Sequence, residues 1–88
     1  MNKISSGSQD NLQFLNYDIG LSSALTTLHY ELLTLNRDNP RKIGFAFART
    51  PELEQTAQEY FAGRLMLDAR SFFENIKMLK NRIYSSAI

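Results

Sequence analysis

The chain has 88 residues, a net charge of +1 and no cysteine. It is therefore expected to be one small domain, with neither a disulfide framework nor a thiolate metal site, and to suit the reducing cytoplasm. His29 is the sole histidine, which argues against an intrachain histidine metal site, and no window offers the roughly 18 uninterrupted apolar residues of a membrane span.

Residues 1–9 are polar and serine-rich, which predicts a disordered tail ahead of a single helical domain over residues 10–88. Asp10 or Asn11 can cap a first helix. From Leu12 to Leu35 the apolar residues recur at helical spacing. Leu21, Leu25, Leu28, Leu32 and Leu35 are separated by 4, 3, 4 and 3, the seam of a coiled coil and a candidate interface. Asp18 interrupts that stripe, and Gly20 can let another backbone come close or loosen the helix.

The stretch NRDNPR ends this helix, with Asn36 able to take a left-handed cap, Asn39 a new N-cap and Pro40 a first helical position. A short helix over residues 40–48 would then bury Ile43 and Phe47, with Phe45 a further candidate. Thr50 is expected to cap a third helix, with Pro51 at its first position and Glu52 and Glu54 at the positive end of its dipole. Its apolar face runs through Ala57, Phe61, Leu65, Phe72, Ile76, Leu79 and Ile83, as one helix or as two joined near Gly63. Alternation at period two does not persist, so no strand is expected and the fold class is all-α, an oligomeric helical bundle.

No nucleophile motif, phosphate loop or paired metal ligands stand out, so an enzyme, a cofactor and a small-molecule substrate are not expected. His29 reads as a helix-flank residue, and Asp68 can pair with Arg64 four residues away. Basic residues form two groups. Arg37, Arg41 and Lys42 flank a turn, whereas Arg70, Lys77 and Lys80 are roughly aligned on the last helix and Arg82 points elsewhere. Such a helix can contact phosphates or can be an ordinary solvated face. So short a chain with so many aromatic side chains is expected to bury some of them against another subunit.

The residues Asp18, Ile19, Leu21 and Ser22 make the chain resemble the FlhD family of transcription activator subunits, whose first helix carries Asp-Ile-x-Leu-Ser. FAFAR followed by TPELEQ is similar to that family's Ala-x-Phe-Arg segment, with Ala46 or Ala48, Phe47 and Arg49 at comparable points. After residue 60, GRLMLDARSF only echoes the family pattern, and the family's frequent cysteine is missing. The resemblance implies a cytoplasmic all-α homodimer that joins a larger, zinc-containing FlhC-like partner and binds promoter DNA with it to activate transcription. Short relatives on conjugative elements activate transfer genes. In that reading Arg70, Lys77, Lys80 and Arg82 add affinity for DNA, while Leu21, Leu25, Leu28, Leu32, Leu35 and Phe47 form the interface. The alternative is a polymerising type III secretion needle or inner-rod subunit, which has a similar helix, turn and helix outline. A toxin-neutralising or chaperone-like helical protein is a third.

Overall fold

The computed structural model describes residues 12–86. The expected tail and the caps at Asp10 and Asn11 lie outside them. The elements in chain order are β1 (Gln13–Asn16), α1 (Ile19–Thr27), β2 (Leu32–Asn36), β3 (Gly44–Ala48), α2 (Leu53–Phe61) and α3 (Ala69–Ser86). The strands form one sheet in the order β1-β3-β2, both outer strands antiparallel to β3. The all-α expectation is thus corrected to a mixed α/β fold, with helices on one face of a three-stranded sheet.

The expected first helix, Leu12 to Leu35, is a strand, a helix and a second strand. Asp18 is the N-cap of α1 rather than a flaw in a stripe. Its backbone is extended, with φ −99° and ψ 113°, and its carboxylate accepts a hydrogen bond from the Leu21 amide at 2.9 Å, satisfying one of the orphan donors of a first turn. At the other end His29 adopts a left-handed φ of 71°. The Tyr30 amide donates to the Leu25 carbonyl at 3.0 Å and the His29 amide to the Thr26 carbonyl at 2.9 Å. This is a Schellman closure with histidine where glycine is usual.

Beyond it, the leucine spacing misleads for a specific reason. A bulge lies between Leu32 and Thr34, so that Leu32 pairs with Phe47 and Leu35 with Phe45. The extra residue brings two leucines three positions apart onto the same face of a strand, and the result imitates a heptad. The five seam leucines therefore separate. Leu21 and Leu25 are buried in α1, Leu28 is 37% exposed at its C-cap, and Leu32 and Leu35 pack on the core from β2.

In place of the expected helix over residues 40–48, β3 is the central strand. Phe45 and Phe47 face the helices and are 2% and 0% exposed, while Gly44, Ala46 and Ala48 alternate with them on the other face. Gly44 has to be small, because a Cβ there would come within 2.8 Å of Leu15 Cδ1 and 3.0 Å of Tyr17 Cε1. Phe47, expected at an interface, is the most enclosed ring of the core.

Helix α1 packs on the other two helices and shares the core with Phe45 and Phe47 of the sheet through Leu21 and Leu25. Leu21, Ser22, Ser23, Ala24 and Leu25 are all buried, and the small Ser22, Ser23 and Ala24 let the neighbouring elements come close. Ser23 Oγ donates to the Ile19 carbonyl at 2.7 Å and Ser22 Oγ to Asn16 Oδ1 at 3.2 Å, so neither buried hydroxyl is left without a partner. Gly20 admits a side chain rather than a backbone, since the Tyr60 hydroxyl lies where a glycine Cβ would be. Burial there, and secondarily the Asp18 charge, raises the Tyr60 pKa.

The last apolar face is broken at Gly63, whose φ is +77°. Residues 64–68 then run without regular structure to α3. Asp68 does not pair with Arg64, which reaches Glu59 at 3.3 Å instead. Its carboxylate accepts from the Ser71 amide at 2.9 Å and caps the start of α3. Thr50 was expected to cap α2 through its hydroxyl. That oxygen is buried without a partner, and the helix begins at Leu53 with no side-chain cap. Helix α3 packs chiefly on α1, through Leu79 and an Asn75 Nδ2 to Thr27 Oγ1 hydrogen bond of 3.0 Å.

Candidate functional site

The loop between β2 and β3 is shaped by two asparagines. Asn36 Oδ1 accepts from the Asp38 amide at 2.9 Å and Asn39 Oδ1 from the Arg41 amide at 2.8 Å. These turns hold the backbone without a helix. Arg37 ties the loop to α3 by donating from Nη2 to the Ile83 carbonyl at 2.9 Å. That tether places Arg41 and Lys42 beside the second half of α3, although about forty residues separate them in sequence from Lys80.

Between loop and helix lies a cleft of about 290 Å³. Ile19, Ile43, Ile83 and the edge of Phe45 supply apolar lining; Arg41, Lys42 and Lys80 supply charge; Tyr17 and Tyr84 flank it. No carboxylate is among the lining residues. Lys42 Nζ stands 4.4 Å from the Tyr17 ring centroid, a cation–π contact worth about 0.5–1 kcal/mol at an exposed site. With three like charges converging over an apolar floor, the cleft favours an anion that also carries an apolar group.

Of the four basic residues singled out on the last helix, Lys80 lines this cleft. Lys77 lies one turn before it, its Nζ 5.0 Å from the Phe73 ring centroid. Arg70 is near the start of α3, and Arg82 is exposed without lining the cleft. All four lie on α3, but only Lys80 joins Arg41 and Lys42. Tyr17 carried no sequence signal as a site residue, because only the β1 to α1 turn brings it against the loop.

A second cavity, about 570 Å³, lies where the end of α1 meets the start of α3 and contains His29, Asp68 and Ser71 among its walls. Asp68 is held below the usual carboxylate range first by the Ser71 amide and then by the Ser71 hydroxyl. Among the described residues no three histidine, cysteine or carboxylate side chains gather as metal ligands, and no helix is long and apolar enough to cross a membrane.

The fold and the cleft define a small α/β domain with a cationic, partly apolar recess. The chain belongs to the DUF5659 family, described as a domain of unknown function, whose pattern matches residues 25–85. The matched segment contains the whole β2 to β3 loop and nearly all of α3, hence most of the cleft. No curated protein and no solved structure matches the chain.

Family and fold together overturn the FlhD resemblance. The Asp-Ile-x-Leu-Ser match is the capped start of a nine-residue helix, and the FAFAR match is a central β-strand. Neither belongs to the long helices of an all-α protein. Arg49 at the end of that match pairs with Glu54. With the resemblance go the transcription-activator and DNA-binding assignments and the reason to expect a zinc-containing FlhC-like partner. The helix, turn and helix outline that pointed to a secretion subunit is not the plan of this chain either.

Proposed function

We propose that this chain is a protein-interaction module that holds an acidic segment of a partner protein in the cleft between the β2 to β3 loop and α3. An apolar side chain of the partner would rest among Ile19, Ile43 and Ile83, and flanking carboxylates would pair with Arg41, Lys42 and Lys80. The observation carrying this reading is the convergence of three cations around an apolar floor with no carboxylate in the lining. The module binds and does not catalyse.

A peptide suits the cleft better than a nucleotide strand does. Proteins that hold single strands offer successive open aromatic faces for the bases. Here Phe45 is buried, and Tyr17 has Lys42 over one face while its edge crosses Gly44. Tyr84, 71% exposed, is the one open ring at the cleft. The volume is at the lower end of small-ligand sites, roughly 300–1,000 Å³, and suits one anchoring side chain.

Titration of isotope-labelled protein with a short peptide alternating Glu and Leu tests the proposal. The amides of Tyr17, Lys42 and Ile83 are expected to shift, and the affinity to weaken with salt as exposed charges are screened. Replacing Lys42 and Lys80 together by Glu should abolish the shifts while the protein stays folded. Equal binding of a Gln-for-Glu peptide, or tighter binding of a single-stranded oligonucleotide at the same amides, would overturn it.

A further inference from the structure

The cleft does not end at Lys80. Along α3, Phe73, Lys77, Lys80 and Tyr84 are separated by 4, 3 and 4 residues, and at 100° per residue they fall within a strip about 60° wide. All four are exposed, Phe73 by 59% and Tyr84 by 71%. The strip lies to one side of the face that carries Phe72, Ile76, Leu79 and Ile83 toward the rest of the fold, so core packing does not account for it. Lys80 and Tyr84 belong both to the strip and to the cleft.

We infer that the partner segment, having anchored in the cleft, continues as an acidic amphipathic helix along Phe73, Lys77, Lys80 and Tyr84 of α3. This rests on the function proposed above and names the form of the partner. Three observations carry it. The 4-3-4 spacing is the one that pairs two helices, since knobs repeating every 3.5 residues keep facing the same neighbour. The strip spans eleven residues of rise, about 16 Å, which suits three turns of a partner helix. Lys77 and Lys80 occupy its middle, so carboxylates are the complementary groups.

A second copy of this chain is a poor occupant. Helix α3 carries Arg70, Lys77, Lys80 and Arg82 against Glu74 alone, and two such helices side by side would bring together the same excess of positive charge.

The test uses the full chain and three-heptad peptides with Leu at the seam and Glu beside it, in a helical form and in a form interrupted by two prolines. The helical peptide is expected to shift the Phe73 and Lys77 amides as well as those of the cleft. The proline form should shift the cleft alone and bind about tenfold more weakly, the cost of roughly 1.4 kcal/mol of lost contact. Replacing Phe73 by Ala and Lys77 by Glu should remove the advantage of the helical peptide, and Lys77→Arg should keep it. Equal affinity for both peptides, with shifts confined to the cleft, overturns the helix inference and leaves the cleft reading standing. No shift with either peptide overturns both. A single-stranded oligonucleotide that displaces the helical peptide from Phe73 and Lys77 overturns both in favour of nucleic acid.

Discussion

Helices α1 and α3 lie against each other and obey different rules. In α1 five successive residues, Leu21 to Leu25, are buried within nine. In α3, twice as long, Leu79 is the only buried residue among those described. A helix enclosed on all sides has to be narrow, which is why two serines and an alanine occupy α1 where larger side chains would force the sheet and α3 apart. A helix attached along one stripe is free to present the rest of its surface, and α3 presents lysines and aromatic rings. The difference teaches that the two helices divide the tasks of this domain, with fold specification in α1 and recognition in α3.

The contrast is broken most directly by truncating each helix at one large side chain. Leu25→Ala removes a fully enclosed side chain and should cost about 3 kcal/mol, through lost burial and the cavity left behind. Tyr84→Ala on α3 should stay within about 0.5 kcal/mol, as exposed positions do. Urea denaturation measures both. Similar losses would mean that α3 supports the fold as much as α1 does, and the division of tasks would fail.

A smaller effect is expected at Gly20. A methyl group there meets the Tyr60 hydroxyl, so Gly20→Ala should destabilise by about 1–3 kcal/mol, the usual penalty of overpacking, despite the better helix propensity of alanine. Tyr60→Phe removes the obstructing oxygen and should recover part of the loss, giving a coupling that a double-mutant cycle detects. Additive effects would show that the tight fit of α1 does not depend on that contact.

These contacts also mark what the sequence could disclose. The helical repeat of Leu21 and Leu25, the break at Gly63 and a helix starting within TPELEQ are local, and local spacing is enough to see them. The sheet was hidden by two coincidences. The β2 bulge made Leu32 and Leu35 continue a helical count, and Pro40 directly after Asn39 offered a plausible helix start just ahead of GFAFA, whose alternation of Phe45 and Phe47 is only five residues long. At the cleft, Lys80 and the pair Arg41 and Lys42 were each visible as basic residues. Their meeting depends on the Arg37 to Ile83 tether and on strand order, which one sequence does not display.

The left-handed His29 closes α1 with a residue that does not favour that conformation. His29→Gly should relieve the steric conflict of Cβ with the backbone and stabilise the domain by about 0.5–1 kcal/mol, net of the greater entropy of glycine in the unfolded chain. Thermal unfolding would show the rise. A fall would mean that the imidazole makes a contribution in the cavity it lines that outweighs the backbone strain.

At the facing end of α3 the smallest effect is a dependence on pH. Asp68 caps the helix, and the Ser71 amide, followed by the Ser71 hydroxyl, holds its carboxyl below the ordinary value of 3.8. A depressed pKa means that the folded state prefers the ionised form, so the contribution is complete above the unfolded value and is lost as pH falls through the folded one. Asp68→Asn retains an oxygen that can cap and removes the titration. The variant and the parent should therefore differ little at neutral pH in susceptibility to urea, and the parent alone should lose this increment as pH falls from about 4 toward 2. Parallel acid profiles would show that the charge at Asp68 is irrelevant, and that α3 is held in register by Leu79 and Asn75 against α1 without help from its own first turn.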